Sequence, residues 1–504
     1  MNPINRLSKL DKYTRYSVII IVLFSIIILS LTSIYHVSGD GCWHASVGKY
    51  IWKNHEIPLF QPLGREEPFY APPLYHMITA FVYSVFNIFS NDTANFAIKF
   101  ISPIFGIAAL MLSFLTIKKL FNSKIAFYSI LFLAFIPIFL DYSIFSYVES
   151  TMAFFVILSI YLMVNDKVAY SGIAAGLSIL AKLNGAFVLP VLIFIVYRKS
   201  GSEKSFYKNV VIVIGLSLLI ASPWLLRNWM LLGNPIWPFL NFAFDGYEAR
   251  SFSSFNLNNI IDPDLYAFTY MGIFGVPDGN YRTLAMVNLP YFRILFFIWM
   301  AGTFIFSFPF IAGIFNFKNI RKSFKSHDIG IVLALSYLIL FFMYAANVGF
   351  SVSRMLLPAF PAFAMIWAFG FEKLAKGAFR KTAIFLLTAV IIGFVLTEFV
   401  KIKYASDSWN AFRPDFDWAR QNTSPDAIFI AEGQCVPYNL ERTSMYATEE
   451  NINKADYVWI NQDFNLDTRS ILDEDKISLI KSENFRIAYS NDRTKTSIYQ
   501  TTNQ

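Results

Sequence analysis

The chain has 504 residues, of which 56% are hydrophobic and 15% are charged, and its formal net charge is +8. A soluble chain usually carries about 25% charged residues, so this composition excludes an ordinary soluble protein and indicates a chain that lies mostly in lipid. The positive charge is not a nucleic-acid signal, because the basic residues fall mainly in short loops between apolar runs, the pattern that orients membrane proteins.

The first apolar run, residues 16–34, has the length of a transmembrane helix. No small-residue cleavage site follows it, so we expect no cleavable signal peptide. Lys9, Lys12 and Arg15 precede this run. They predict a cytoplasmic N-terminus and an external position for the residues that follow the span.

Later apolar runs alternate with basic clusters that we expect on the cytoplasmic side. These clusters lie at 118–124, 198–208, 318–325 and 373–381. The apolar runs are 94–117, 125–140, 151–164, 168–183, 185–197, 209–226, 284–310, 329–346, 355–371 and 382–398. A crossing at the apolar segment 72–89 would place every later basic cluster outside. We therefore predict a helix in the external face there, about eleven crossings, and an external C-terminal region.

After residue 398 the composition becomes polar and charged, which predicts a small soluble domain. Alternating segments at 427–432, 456–461, 485–490 and 496–500 predict short strands, and 471–482 predicts a helix. The predicted architecture is an all-α polytopic membrane domain at residues 1–399 and an extracytoplasmic α/β domain at residues 400–504. External loops are expected at 36–93 and 229–283.

Four basic residues lie at the predicted external ends of spans, where the orientation rule disfavours positive charge: Lys99, Lys182, Arg227 and Arg354. A single boundary charge is often a side chain that reaches the membrane surface, but such charges also mark functional sites. Four on one face indicate an anion-binding site. A lipid phosphate is the ligand that this position favours.

Three carboxylates are expected on the same face. Asp40 follows the first span, where a carboxylate is a natural general base for chemistry at the bilayer surface. Asp141 and Glu149 belong to a short loop after the third span. We interpret Asp141 as a solvated loop residue and Glu149, at the start of the next span, as functional.

Four of the five histidines fall in the first external loop. Asp40 and His44 are four residues apart, so a helix would place both on one face. Because no metal-ligand motif is present, we expect substrate hydrogen bonds rather than a metal site. The sequence requires no cofactor, and a divalent cation (Mg or Mn) is left open. Cys42 and Cys435 are both external in this topology and could pair, with free thiols as the default.

Together these residues resemble the GT-C superfamily of membrane glycosyltransferases, in the branch of the protein O-mannosyltransferases and the lipid A aminoarabinose transferase. The resemblance covers most of the membrane part. The motifs that carry it are Gly39-Asp40, Pro72-Pro73-Leu74, residues 96–103 with Lys99, 181–185 with Lys182, 222–238 with Arg227 and Asn228, and 353–361 with Arg354. The aminoarabinose branch has a lysine where this chain has Pro72, which argues against that branch's substrate.

The resemblance implies a helical membrane domain with its active site at the extracytoplasmic surface. It implies a polyprenyl-phosphate-linked sugar as donor, Asp40 as the base and Glu149 as a second acidic residue. Arg354 would meet the lipid phosphate, and we expect Lys99, Lys182 and Arg227 to join it. The further residues expected to contact substrate are His44, Pro72, Pro73, His76 and Asn228.

The sequence thus predicts an integral-membrane glycosyltransferase that moves a sugar to an acceptor hydroxyl of a glycan, lipid or protein. A single displacement would invert the configuration of the sugar. Two alternatives stay open. A lipid-linked glycan ligase or polymerase would share the phosphate site but need a larger cleft. A lipid-linked oligosaccharide flippase would need polar residues through the membrane thickness, whereas the charges here gather on one face.

Overall fold

A computed structural model of the chain describes residues 10–60, 68–247, 256–275, 290–315, 327–348, 353–376, 380–431, 433–461 and 485–502. Apolar helices make up most of the chain up to residue 411, and a small five-stranded sheet follows. The predicted fold class, a helical membrane domain followed by a small α/β domain, is confirmed over these residues.

Each predicted apolar run coincides, over its described residues, with one helix or with two separated by a short break. The helices of the first half are Lys12–Ile34, Asp40–Asn54, Leu74–Asn87, Asn91–Ile98, Ile101–Leu120, Ser123–Phe135, Pro137–Ile144, Glu149–Val164, Val168–Ala181, Leu189–Lys199 and Glu203–Leu232. The later helices are Asn241–Phe244, Asn258–Ile261, Pro263–Phe274, Pro290–Phe315, His327–Val348, Phe360–Leu374, Arg380–Ala411, Arg413–Asn422, Cys435–Leu440 and Glu449–Ile452. Two 3₁₀ helices, Leu183–Val188 and Ser353–Ala359, interrupt apolar runs.

The break at Pro137 shows how the sequence interrupts a span. Proline has no N–H to donate, and its ring disfavours a helical residue before it. Ile136 is accordingly extended, and the helices on either side of it are bent by 64°. Irregular backbone at membrane depth requires protein or a water-filled cavity around it. The second helix of the pair, Pro137–Ile144, is buried along its whole length.

Among the described residues, six helices are long and apolar enough to cross a membrane, or seven if the bent pair counts as one span. The shorter apolar helices are Glu149–Val164, Val168–Ala181, Leu265–Phe274 and Met300–Phe315. Length and composition do not decide which of these short helices cross. The number of about eleven crossings therefore stays a prediction.

The helix Leu74–Asn87 occupies the segment that we expected to lie in the external face. Its 14 residues extend about 21 Å at roughly 1.5 Å per residue, which is less than the hydrocarbon thickness of about 30 Å. One side of it is buried through Tyr75, Thr79 and Tyr83, whereas Phe81 on the other side is exposed. A short helix with one apolar face uncovered is suited to the membrane surface.

The C-terminal sheet has the strand order β2-β1-β3-β5-β4. Its strands are β1 Ile428–Ile430, β2 Thr443–Met445, β3 Tyr457–Asn461, β4 Phe485–Asn491 and β5 Thr496–Thr501. Strand β1 pairs in parallel with β2 and β3, and β5 pairs antiparallel with β3 and β4. In the register of β3 with β5, the buried Trp459 lies opposite the buried Ile498.

All four predicted strands are confirmed. The sequence did not indicate β2, because three residues are too few to show an alternating pattern. The predicted helix at 471–482 lies outside the described residues. The helix Arg380–Ala411 runs through residue 399, so the domain boundary placed there stays a prediction.

The C-terminal domain is joined to the first external loop by a disulfide between Cys42 and Cys435. Their Cα atoms are 5.0 Å apart although the residues are separated by 393 positions in sequence. The expectation of free thiols is therefore wrong. Folding brings the helix Cys435–Leu440 onto the helix Asp40–Asn54, a contact between distant segments that spacing along the chain does not reveal.

Glu441 adds polar contacts to the same interface. Its carboxylate accepts hydrogen bonds from Asn91 Nδ2 at 2.7 and 2.8 Å and from Asn95 Nδ2 at 3.2 Å. Lys49 Nζ lies 3.3 Å from Glu441 Oε1 and 4.4 Å from the centre of the Tyr438 ring. Burial raises the pKa of Glu441, but Lys49 and the two amides outweigh it, so that pKa lies below its ordinary value.

We expect removal of the disulfide with Cys42→Ala and Cys435→Ala to lower the free energy of unfolding by about 2–4 kcal/mol, because the bond restricts the unfolded chain. The measurement is thermal unfolding of the purified protein with and without reductant. The wild type should lose stability on reduction, and the double variant should not respond. An unchanged wild-type curve on reduction would show that the bond contributes nothing.

Candidate active site

Four charged side chains predicted from the sequence meet in one chain of alternating charge. Arg354 Nη1 lies 2.8 Å from Asp40 Oδ2, and Arg354 Nε lies 3.5 Å from Glu149 Oε1. Glu149 Oε1 also accepts a hydrogen bond from Lys182 Nζ at 2.7 Å. We call Asp40, Glu149, Lys182 and Arg354 the charged cluster. It has two carboxylates and two cations, so its formal charge is balanced.

Asp40 owes its position to Gly39. Gly39 has φ 55° and ψ −139°, a conformation that favours glycine, and it precedes the first turn of the helix Asp40–Asn54. A carboxylate in the first turn of a helix is stabilised by the partial positive charge of that end. The backbone N–H of Asp40 also donates to the hydroxyl of Tyr147 at 3.1 Å.

The other members of the charged cluster lie at helix ends or breaks. Glu149 is the first residue of its helix and only 1% exposed. Lys182 is an extended residue between Val168–Ala181 and the 3₁₀ helix Leu183–Val188. Arg354 belongs to the 3₁₀ helix Ser353–Ala359. These breaks let polar groups enter a region that regular spans would fill with apolar side chains.

Asp40 is held as a carboxylate. Burial raises the pKa of Asp40, but the positive charge of Arg354 outweighs burial, so that pKa lies below its usual value. Its side chain is 39% exposed, which leaves room for contact with a second molecule. Glu149 has one oxygen, Oε2, with no hydrogen-bond partner among the described residues. Both carboxylates can therefore accept a further hydrogen bond.

His44 and His76 form a pair behind Asp40. His44 Nδ1 lies 2.9 Å from His76 Nε2, and both rings pack edge-on against Trp43. His44 is 7% exposed and His76 is fully buried. The predicted helix that places Asp40 and His44 four residues apart is confirmed. The two histidines contact each other and Trp43. Substrate contact for either histidine stays a prediction.

Pro72 and Pro73 are buried at the start of the helix Leu74–Asn87, where Pro73 is the residue that precedes the first turn. Asn228 is fully buried, and its Nδ2 has no hydrogen-bond partner among the described residues. Such an unpaired amide is costly unless something binds it. Contact of these three residues with a substrate stays a prediction.

Arg227 is not part of the charged cluster. Its Nη2 donates to the carbonyl of Pro58 at 2.8 Å and its Nη1 to Asn228 Oδ1 at 3.1 Å. Its guanidinium lies 4.7 Å from the ring centre of Trp224. Arg227 thus ties the helix Glu203–Leu232 to the first external loop.

Lys99 also has other partners. Its Nζ donates to the backbone carbonyls of Tyr35 at 2.7 Å and Ser33 at 3.3 Å, at the end of the first helix. The structure therefore brings together two of the four predicted phosphate-binding cations, Lys182 and Arg354. It places Lys99 and Arg227 elsewhere.

The interpretation of Asp141 as a solvated loop residue is wrong. Asp141 is fully buried in the helix Pro137–Ile144, where its Oδ1 is paired with Lys401. Lys401 also lies 2.6 Å from Glu398 Oε2. The short bent helix replaces the loop that the sequence predicted, because the apolar residues around Asp141 are packed in the interior. Lys401 was missed, since it follows an apolar run and resembles an ordinary boundary residue.

Tyr147 is a second residue that the sequence did not single out. Besides its bond to the backbone of Asp40, its ring centre lies 5.4 Å from the guanidinium of Arg354. It therefore touches both ends of the Asp40–Arg354 pair. An aromatic residue in a chain with 27 tyrosines carries no signal of its own, so sequence alone could not find it.

Within the described part of the chain, no three His, Cys, Asp or Glu side chains are grouped so as to hold a metal ion. Asp40 and Glu149 both pair with Arg354 instead. A divalent-cation requirement stays untested.

The chain is similar in fold to solved membrane glycosyltransferases, and part of it matches a family profile. The profile of the family described as dolichyl-phosphate-mannose-protein mannosyltransferase matches residues 70–226, just under a third of the chain. No curated protein sequence matches the chain significantly. The resemblance to the GT-C superfamily is confirmed by this match and by the fold of solved relatives.

Two such relatives illustrate the fold. ArnT from Cupriavidus metallidurans bound to undecaprenyl phosphate has a TM-score of 0.60 at 12% identity, and the match covers 96% of this chain and 97% of ArnT. The oligosaccharyltransferase AglB from Archaeoglobus fulgidus, in complex with an inhibitory peptide and a dolichol-phosphate, has a TM-score of 0.52 at 13% identity. That match covers 90% of this chain and 70% of AglB. At these identities the likeness is one of fold.

The buried histidine pair predicts how stability depends on pH. Burial lowers the pKa of His44 to about 3 and that of His76 well below its usual value, whereas an unfolded histidine has a pKa of about 6.5. Below pH 6.5 the unfolded chain therefore binds protons that the folded protein does not, so stability falls as the pH decreases. The slope should reach about 1.4 kcal/mol per pH unit for each histidine.

The measurement is the unfolding temperature between pH 7.5 and 4.5. We expect His76→Asn to give a shallower decline than the wild type, because one buried group no longer takes up a proton on unfolding. His55→Asn, at an exposed position, is the matched control and should keep the wild-type slope. Equal slopes for all three proteins would contradict a neutral buried pair.

Proposed function

We propose that the protein is an integral-membrane glycosyltransferase that transfers a sugar from a polyprenyl-phosphate-linked donor to an acceptor hydroxyl at the extracytoplasmic face, with inversion. The observation that carries this proposal is the charged cluster, in which Arg354 lies between Asp40 and Glu149 and Lys182 lies against Glu149. Such an arrangement supplies both a proton acceptor and cations for a leaving phosphate.

The donor phosphate is assigned to Arg354 and Lys182. A guanidinium binds phosphate oxygens with two parallel hydrogen bonds, and an ammonium adds a point charge. Both cations pair with carboxylates in this structure, so an incoming phosphate would compete with Asp40 and Glu149 for Arg354. The undecaprenyl phosphate of the ArnT structure and the dolichol-phosphate of the AglB structure support this class of ligand.

Asp40 is the proposed general base. Once a phosphate takes Arg354, Asp40 loses the charge that holds its pKa low, so it becomes a stronger proton acceptor. The acceptor oxygen attacks the anomeric carbon and transfers its proton to Asp40, while the bond from that carbon to the phosphate oxygen breaks. The electron pair leaves with the polyprenyl phosphate, whose charge Arg354 and Lys182 stabilise. One displacement of this kind inverts the sugar.

Glu149 is the proposed orienting group. Its Oε1 is shared between Lys182 and Arg354, whereas Oε2 has no hydrogen-bond partner among the described residues. A hydroxyl group of the sugar or acceptor could donate to this oxygen. The proposed acceptor is a glycan, a lipid or a protein. A solved oligosaccharyltransferase of similar fold holds an acceptor peptide, which supports a protein acceptor.

The site and the C-terminal domain are assigned to the extracytoplasmic side. The disulfide joins Cys42, two residues from Asp40, to the C-terminal domain, so both lie on one side of the membrane. Disulfides persist in oxidising compartments. The basic residues before the first span support the same orientation.

Reporter fusions test this orientation. A reporter that is active only outside the cytoplasm, fused after Gln504, should give signal, and a cytoplasmic reporter at the same position should not. The reversed pattern would contradict both the topology and the proposed site, because Asp40 would then face the cytoplasm.

For donor binding, we expect Arg354→Gln to weaken the affinity for a polyprenyl phosphate by about 1.5–3 kcal/mol, the size of a hydrogen bond to a charged group. The measurement is a binding isotherm with the purified protein in detergent. Arg413→Gln, at an exposed position of the C-terminal domain, removes the same charge and should bind as the wild type does. Unchanged affinity in Arg354→Gln would remove Arg354 from the phosphate site.

For the chemical step, Asp40→Asn should keep the shape of the side chain and lose its basicity. Turnover should fall about a hundredfold or more, the usual contribution of a general base. Glu149→Gln should be less severe if Glu149 only orients a substrate. The assay is transfer of labelled sugar by variants of matched thermal stability, repeated with a chelator to test for a divalent cation. Near-normal turnover in Asp40→Asn with an inactive Glu149→Gln would reverse the two roles.

A further inference from the structure

A cleft separate from the charged cluster lies between the first helix and the helix Arg380–Ala411. Its volume is about 370 Å³. The lining residues are Ser33, Ile34, Tyr35, His36, Lys99, Lys403, Ser406, Asp407 and Asn410. None of them belongs to the charged cluster. The lining combines hydroxyl, amide and ammonium groups with one carboxylate, Asp407, which pairs with Lys403. The charge left over is the positive charge of Lys99, which favours an anion.

Lys99 is a cation without a counter-charge. Its Nζ donates to the carbonyls of Tyr35 and Ser33, which are neutral acceptors, and an ammonium has a third donor to offer. Lys99 Nζ also lies 4.9 Å from the centre of the Phe96 ring, and among the described residues its hydrogen-bond partners are these carbonyls rather than a carboxylate. Lys403, across the cleft, is paired with Asp407 at an exposed position. Burial lowers the pKa of His36 to about 4, so His36 adds no positive charge to the cleft at neutral pH.

The cleft lies at the level where phospholipid phosphates are found. The three helices that supply Ser33, Lys99 and Lys403 have basic residues at their other ends, about 20 residues away, and such a helix crosses about 30 Å of hydrocarbon. Two of those other ends meet in the structure, since Lys118 Nζ donates to Thr14 Oγ1 at 2.8 Å. The cleft therefore lies at the opposite membrane boundary.

We propose that this cleft binds the phosphate group of an anionic membrane lipid, through Lys99 and Lys403, at a site distinct from the donor site. Exposed apolar side chains continue from the cleft along both helices: Ile26 and Leu29 on the first helix, Leu396 and Phe399 on the helix Arg380–Ala411. Acyl chains have this surface to lie on, which free phosphate would not use. The site therefore anchors the outer end of the first span beside the base of the C-terminal domain.

The test uses the full-length protein in nanodiscs of phosphatidylcholine with and without phosphatidylglycerol, read out by native mass spectrometry and by thermal unfolding. We expect the wild type to retain phosphatidylglycerol and to be stabilised by it. Lys99→Gln and Lys403→Gln should each lower its apparent affinity about tenfold, since each removes one charge-assisted contact. Lys454→Gln is the matched control, because Lys454 is 53% exposed, close to the 52% of Lys403, and is likewise paired with a carboxylate four residues away.

Lys403→Gln keeps the test decisive if Lys99→Gln fails to fold, because Lys403 is exposed. A parallel arm adds inorganic phosphate to the protein in phosphatidylcholine nanodiscs. One outcome is that millimolar phosphate stabilises the wild type but not Lys403→Gln, while phosphatidylglycerol is not selectively retained. That result would assign the site to free phosphate and would contradict lipid binding. Wild-type affinity in both lysine variants, or an equal loss in Lys454→Gln, would overturn the site itself. Donor binding is measured separately, so neither result depends on the proposed transfer reaction.

Discussion

The pairing of Arg354 with two carboxylates organises the membrane domain around the site. Charged groups that leave water lose solvation, and their mutual attraction offsets this loss only when several partners share the same space. Arg354 meets Asp40 at 2.8 Å and Glu149 at 3.5 Å, and Lys182 completes the set. Without Arg354, Asp40 would lose its ion-pair partner and Glu149 would keep only Lys182. The helix ends that carry these residues are therefore joined by ion pairs as well as by packing.

This balance also constrains the chemistry. Because each cation already has a carboxylate partner, a ligand enters most readily if it replaces a carboxylate with another anion. Under the proposed function, a donor phosphate would do so and would leave Asp40 with less positive charge beside it, which would make Asp40 a stronger base. In the proposed transfer, the donor phosphate and the Asp40 carboxylate compete for Arg354. When the phosphate binds Arg354, Asp40 becomes available to the acceptor. A neutral ligand would not produce this exchange.

The helix Asp40–Asn54 carries the proposed base and is also bonded to the C-terminal domain. Cys42 lies in the same first turn as Asp40 and is bonded to Cys435, while Glu441 contacts Lys49 and Asn91 farther along. Movement of the domain would therefore act on the helix that carries the proposed base. Tyr147 opposes such movement from the membrane side, since its hydroxyl accepts the backbone N–H of Asp40.

The sequence predicted the apolar helices, four of the strands and the members of the charged cluster, because each depends on local pattern or on a charge in an unusual place. It could not predict which charges would meet. Asp141 was expected in a solvated loop, but a proline-bent helix buries it against Lys401. The disulfide and Tyr147 depend on contacts between distant segments, which leave no periodic signal.

The basic residues at the predicted external ends of spans show the same limit most clearly. All four were singled out by one rule, the orientation rule for positive charge. The structure then gives them different partners: Arg354 and Lys182 face carboxylates, Arg227 holds the carbonyl of Pro58, and Lys99 holds two carbonyls beside an open cleft. A cation paired with carboxylates is suited to exchange one anion for another, whereas a cation held by neutral carbonyls retains its charge for an anion from outside. The partner of each cation, rather than its position at the predicted boundary, is therefore what distinguishes the proposed donor-phosphate site from the proposed lipid site.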